Sequence, residues 1–176
     1  MNLHNTLLAF TRPLLALSLL TASSIGYAQN NDLSVKLTLE RASIVDGVQV
    51  MVPTERAAPG ETLQYVVTYE NTSHTAGRTP RALTGVTATL PIPVEMVFTG
   101  TSNPNPNTAS LDGKAFVAYP IIKMVKQVDG SVKSTPADWA EYRALRWTLP
   151  EIASRKTTQV SASVQLNQGA TSSASK

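Results

Sequence analysis

The stretch Pro59-Gly60-Glu61-Thr62-Leu63-Gln64-Tyr65-Val66-Val67-Thr68-Tyr69-Glu70-Asn71 decides the fold class. Leu63, Tyr65, Val67 and Tyr69 recur at every second position, so in an extended chain they share one face, and that face must be buried. Gln64, Thr68 and Glu70 point the other way, with Val66 the one apolar exception. One dry side and one wet side is the pattern of a strand in a two-sheet antiparallel sandwich. Pro59-Gly60 just ahead has the residues of a type II turn, proline presetting φ and glycine accepting a positive one.

Working outward, Leu33, Val35, Leu37 and Leu39 alternate with Ser34, Lys36, Thr38 and Glu40, which predicts a first strand with Leu33 to Leu39 facing inward. Asp46-Gly47 is a two-residue turn signal, and Val48 to Val52 resumes the alternation, so a hairpin is expected. Asn71 to Ala82 is polar and reads as an exposed connection; the glycosylation pattern Asn71-Thr72-Ser73 within it is of a kind common by chance. Val86 to Leu90 is a strand stopped by Pro91 and Pro93, and Glu95 to Thr99 is a short one. Asn103-Pro104-Asn105-Pro106-Asn107 reads as an irregular loop.

Asp112-Gly113 and Asp129-Gly130 predict two further turns, the first within a tight hairpin at Leu111 to Phe116. Pro136 to Tyr142 has room for one helical turn, with Pro136 at its first position. Leu145, Trp147 and Leu149, then Val160, Ala162, Val164 and Leu166, supply the last two inward-facing rows. Trp147 fills the place a sandwich reserves for one large aromatic. The chain is thus expected to form an all-β, immunoglobulin-like antiparallel sandwich of about seven to nine strands over residues 29–167. Residues 168–176, rich in small and polar side chains, are expected to be a disordered tail.

Residues 1–28 are set apart. Arg12, the nearly unbroken apolar run Leu14 to Leu20, and small residues at Gly26 and Ala28 read as a signal peptide cleaved before Gln29, which predicts a periplasmic or extracellular protein. The apolar run falls short of the ~20 residues a spanning helix needs, so no transmembrane helix is expected after processing. Without cysteine, lipid attachment, disulfides and thiol chemistry drop out together. Losing Arg12 leaves 14 basic against 12 acidic side chains, 14 − 12 = +2. So mild and scattered an excess, without interleaved aromatics, argues against a nucleic-acid partner.

Pro59-Gly60-Glu61-Thr62-Leu63-Gln64-Tyr65 leading to Asn71, Gly85-Val86-Thr87-Ala88-Thr89-Leu90-Pro91 and Leu145-Arg146-Trp147-Thr148-Leu149 resemble the bacterial conserved-repeat surface domain known as domain of unknown function eleven. Ser110 to Phe116 and the Pro136-Ala137-Asp138 approach are similar to a short, single-domain branch of that family. The resemblance spans about Leu33 to Leu166 and implies an immunoglobulin-like sandwich of exported proteins. Its motifs are strand and turn motifs, so they bear on fold and leave function open.

Chemistry-bearing constellations are sparse. After removal of His4 with the leader, His74 is the one histidine; it stands in a polar loop, and no Gly-x-Ser-x-Gly pattern occurs in the sequence. Asp112 with Asp129 or Asp138 offers hard oxygen ligands but lacks the alternating spacing of a calcium loop. No pair of glutamates is placed for glycoside hydrolysis. Catalytic residues, metal ligands and cofactors are therefore not assigned. Two readings remain: a non-enzymatic structural or protein-interaction module of the cell envelope, meeting an envelope protein through sheet edges and loops; or a carbohydrate-binding or adhesive module meeting a surface glycan through Trp139, Tyr142, Asn103, Asn105 and Asn107.

Overall fold

The structure, a computed structural model, describes residues 32–73 and 79–167. The expected signal peptide, His74 and the expected tail lie outside the described residues. In chain order the strands are β1 (Leu33–Val45), β2 (Val48–Pro53), β3 (Thr62–Asn71), β4 (Thr87–Pro91), β5 (Met96–Asn103) and β6 (Thr108–Ser110). They continue with β7 (Val117–Ala118), β8 (Ile122–Lys126), β9 (Val132–Pro136), β10 (Ala144–Thr148) and β11 (Thr157–Leu166), with one 3-10 turn at Trp139–Glu141.

Nine of these strands form two antiparallel sheets, one of order β2-β1-β3-β11-β5 and one of order β4-β10-β6-β7, and β8 and β9 stand apart as a hairpin. The sheets pack face to face as an all-β sandwich, in agreement with the alternation along β3, β10 and β11. β3 is central in its sheet, Leu63 to Asn71 lying opposite Arg41 to Leu33 on one side and Val164 to Thr157 spanning its other side. The turn ahead of it is type II as expected: Gly60 has φ +81°, and Glu61 N–H donates to the Ala58 carbonyl at 2.9 Å. Asp46 (φ +52°) and Gly47 (φ +78°) both take the left-handed conformation that a two-residue type I′ hairpin requires.

The core lies between the sheets. Leu63, Val67 and Tyr69 of β3 meet Leu145 and Trp147 of β10 and Val160, Ala162 and Val164 of β11, all buried. Phe98 of β5, fully enclosed, closes the side at which β5 and β7 meet.

Four expectations need correction. Val35 and Leu37 are each 55% exposed. They lie on the inward side, opposite Tyr69 and Val67, yet the four-stranded sheet is too narrow to cover the five-stranded one. Pro136 ends β9 and does not open the helical turn, which is N-capped by Asp138. The hairpin at Asp112-Gly113 is wider than expected, β6 and β7 being joined by residues 111–116.

The fourth correction concerns the connection after β3, whose first residues are not exposed. Asn71 and Ser73 are fully buried, the Asn71 amide donating to the carbonyls of Arg81 (2.7 Å) and Ile152 (2.8 Å). Its Oδ1 accepts Ser73 N–H at 3.0 Å, so the side chain acts as a three-way pin where β3 leaves the sheet. Buried amides are satisfied in this way because an unmet polar group in the interior is costly.

Candidate interaction surfaces

Of the residues expected to meet a ligand, Tyr142 is the clearest correction. It is 0% exposed, and its hydroxyl accepts the N–H of Ile121 at 2.9 Å, so neither the ring nor the polar tip is offered outward. Trp139 is half-buried on the capped 3-10 turn. There Asp138 Oδ1 accepts Ala140 N–H at 2.9 Å and Glu141 Oε1 accepts Asp138 N–H at 3.2 Å, a reciprocal capping box. The indole meets Phe98 edge-on (5.5 Å between centroids, 85°), lies 6.1 Å from the Tyr119 ring at 26°, and is 5.2 Å from Tyr142. It is a lid on an aromatic cluster more than a free stacking surface.

The Asn-Pro loop plugs one end of the sandwich. Trp147 Nε1–H donates to the Pro104 carbonyl at 2.8 Å, and Pro106 is buried. Asn107 bridges the loop to β10: its N–H donates to the Arg146 carbonyl at 2.9 Å, and its Oδ1 accepts Thr148 N–H at 2.6 Å. Asn103 and Asn105 are exposed. Asn103 also borders a shallow depression of about 320 Å³ on the outer face of the five-stranded sheet, with Glu40, Gln64, Gln159 and Ser161. Among the described residues, Glu40 is the one ionisable group lining it.

The aspartates expected at turns are engaged in turn geometry. Asp112 Oδ1 accepts three bonds of 2.8 Å, from Lys114 N–H, Ala115 N–H and the Ser110 hydroxyl. Donation by those groups, Lys114 first, lowers its pKa to about 2. Asp129 accepts from the N–H and hydroxyl of Ser131, and its pKa is lowered for that reason, the hydroxyl contributing most. Among the described residues no three of His, Asp and Glu converge as a metal site requires, and no helix is long and apolar enough to cross a membrane.

What the alternation did not reveal is a ledge on the far side of the molecule. In antiparallel pairing, opposite residues share a face, so Val35, Leu37, Val45 and Val48 all belong to the inward side of the five-stranded sheet. All four are exposed, whereas Leu33 and Leu39 on the same face of β1 are partly buried against the core. At Val35 and Leu37 the backbone is open too, while Val45 and Val48 pair with each other. Thr72 N–H donates to the Asp32 carbonyl at 2.6 Å, so the even positions of β1 bond to β3. The N–H and C=O of Val35 and Leu37 therefore point away from β3, where β2 does not reach. Thr54 N–H donates to the Leu39 carbonyl at 2.8 Å, and the same parity turns the backbone of Gln49 and Met51 outward along β2. Pro53, next in that outward row, carries no N–H, which limits the free edge of β2 to a few residues.

Comparison with family models, with curated proteins and with solved structures finds no match to this chain.

Proposed function

We propose that this chain is a non-enzymatic, exported protein-interaction module of a bacterial cell envelope, and that its contact surface is the β1–β2 border of the five-stranded sheet. The observation that carries the reading is the coincidence, at Val35 and Leu37, of an exposed apolar side chain and an unpaired backbone edge. Free edges admit another strand through main-chain hydrogen bonds, and contiguous exposed apolar surface on a small domain marks a contact site. The leader-like residues 1–28 support export, and the strand and turn likeness to conserved-repeat surface domains supports an envelope setting.

The glycan reading is the weaker one. Tyr142 is enclosed and Trp139 has Phe98 and Tyr119 against it, so the aromatic floor on which a sugar would stack is occupied by the protein itself.

The test is a photo-crosslinking side chain placed at Leu37 and, as control, at Thr87, which is exposed on the free edge of the other sheet. In native envelopes the Leu37 probe is expected to give discrete protein adducts and the Thr87 probe none. Absence of adducts at Leu37 overturns the reading.

A further inference from the structure

Among the described residues thirteen large apolar side chains are exposed, and five of them, Ile122, Met124, Val125, Val128 and Val132, belong to the β8–β9 hairpin. This hairpin is an arm. It joins neither sheet, and it is tied to the body at its base, by Ala137 N–H donating to the Ile121 carbonyl (2.8 Å) and by the Lys123–Glu141 ion pair (2.7 Å). At its far end Gln127 N–H donates to the Ser131 carbonyl (2.8 Å) and Gly130 N–H to that of Gln127 (3.0 Å), which closes the turn with Val128 fully in solvent.

The apolar side chains go all round the arm. Opposite residues share a face in antiparallel pairing, so Ile122, Met124 and Val132 stand on one face, Val125 on the reverse and Val128 at the tip. The lysines are as widely spread: Lys126 lies opposite Val132 on the first face and Lys133 opposite Val125 on the second, both exposed. Residues 122–136 hold three lysines against Asp129 alone, 3 − 1 = +2. A two-stranded ribbon with no layer against either face is marginal in water, so the arm gains from any medium that covers it. A folded protein offers one surface and would cover one face of such a ribbon, leaving the other face and the tip wet. A fluid amphiphilic layer closes around a protruding arm from every side, and the excess of lysine selects one whose headgroups are anionic.

We infer that the β8–β9 arm is a membrane-surface anchor that settles into the headgroup layer of an anionic phospholipid bilayer. Met124, Val128 and Val132 reach the acyl boundary, while Lys126 and Lys133 lay their stems along them and carry their ammonium groups to headgroup phosphates. The arm itself limits the depth. The outer edges of β8 and β9 have no neighbouring strand, and neither unpaired backbone groups nor the Asp129 carboxylate enter hydrocarbon. The arm therefore lies in the interface without spanning it, and its hold is reversible. The inference stands apart from the β1–β2 border, whichever molecule meets that border.

Vesicle flotation tests it on the chain from Gln29 onward, which holds every described residue and omits the apolar run Leu14 to Leu20 that would itself enter lipid. The vesicles are phosphatidylcholine alone, or an equal mixture of phosphatidylcholine and phosphatidylglycerol. The parent should float with the mixed vesicles and stay behind with the neutral ones. Lys126→Gln with Lys133→Gln should weaken partitioning by roughly tenfold or more. Met124→Ser with Val128→Ser should weaken it at least as far, whereas Val35→Ser with Leu37→Ser on the ledge should float as the parent does. All six side chains are exposed, and circular dichroism checks that each variant folds. A dye sensitive to polarity, attached at Val128→Cys in this cysteine-free chain, gives a second measurement: its emission should shift to the blue with mixed vesicles, and the same dye at Thr87→Cys should not shift. A parent that ignores the mixed vesicles or binds neutral ones equally, an arm variant that floats like the parent, a ledge variant that does not float, or an unmoved dye at position 128 overturns the inference.

Discussion

Gly100 lies directly beneath Trp139: a Cβ built on Gly100 would stand 2.8 Å from Cε2 and Nε1 of the indole. Gly100 also holds φ at +84°, a conformation that side-chain-bearing residues rarely adopt. The ring is therefore held between β5 backbone and the aromatic cluster, and this contact fixes the 3-10 turn on the sandwich. Gly100→Ala should lower stability by about 2 kcal/mol or more, through backbone strain and overpacking together. Urea unfolding measures the loss. In a Trp147→Phe background, acrylamide should quench Trp139 more strongly once Gly100 is replaced.

Replacing Asn71 by alanine takes one of two donors from each of the Arg81 and Ile152 carbonyls, which keep the Ser73 hydroxyl and Leu83 N–H, and removes the acceptor of the buried Ser73 N–H. The expected cost is about 2 kcal/mol or more, most of it from that one unmet buried N–H, at roughly 1–3 kcal/mol. Asn71→Asp should cost more at neutral pH, because it turns a carboxylate toward the carbonyls of Arg81 and Ile152. Thermal unfolding of the two variants ranks them.

Leu37→Ala should change monomer stability by no more than about 0.5 kcal/mol, because the side chain already meets water. Leu63→Ala, on the same sheet face but 1% exposed, should cost about 2–5 kcal/mol. Chemical denaturation of dilute protein, where any association is suppressed, separates the two. Equal losses would mean that a second layer covers the ledge.

Burial pushes the Tyr69 hydroxyl up to about 12 and raises Tyr65 in the same direction. The unfolded chain therefore releases these protons first, near the usual tyrosine value of about 10. Their contribution to stability is complete below pH 10 and declines as pH rises toward 12. Ultraviolet titration should show a late-ionising tyrosine that is absent from Tyr69→Phe, and the variant should lose less stability over that range.

Asp112 behaves in the opposite sense. Its folded pKa of about 2 lies below the ordinary value of 3.8, so its turn is stabilised above pH 4 and weakens as pH falls toward 2. A carbon-13 carboxyl titration should place its midpoint well below the ordinary 3.8, at about 2. Asp112→Asn should flatten the acid limb of the stability profile.

Period-two alternation made most of the sandwich legible: β3, β10 and β11, the type II turn at Gly60 and the type I′ turn at Asp46-Gly47 all follow from side-chain spacing and turn chemistry. The ledge was not legible, because alternation tells which residues share a face and not whether another layer lies over that face. Val35 and Val67 carry the same local signal, and only the widths of the two sheets separate them. Tyr142 was misread for a related reason. A short irregular segment has no periodicity to show which way its aromatics turn, and the bond from Ile121 N–H to its hydroxyl joins residues far apart in sequence. Asn71 looked like a polar loop residue because a buried amide and an exposed one have the same letter. The hint lay in its place at the end of the most strongly alternating strand.

The Asn71-Thr72-Ser73 triplet also bears on the choice of production host. Cells that attach oligosaccharides to such triplets do so during translocation, before β3 has paired. A glycan on the Asn71 amide would have to occupy the space now held by the carbonyls of Arg81 and Ile152. Recombinant material from yeast or animal secretory pathways would therefore be trapped unfolded at that point or escape modification altogether, while a host without this machinery yields the native chain.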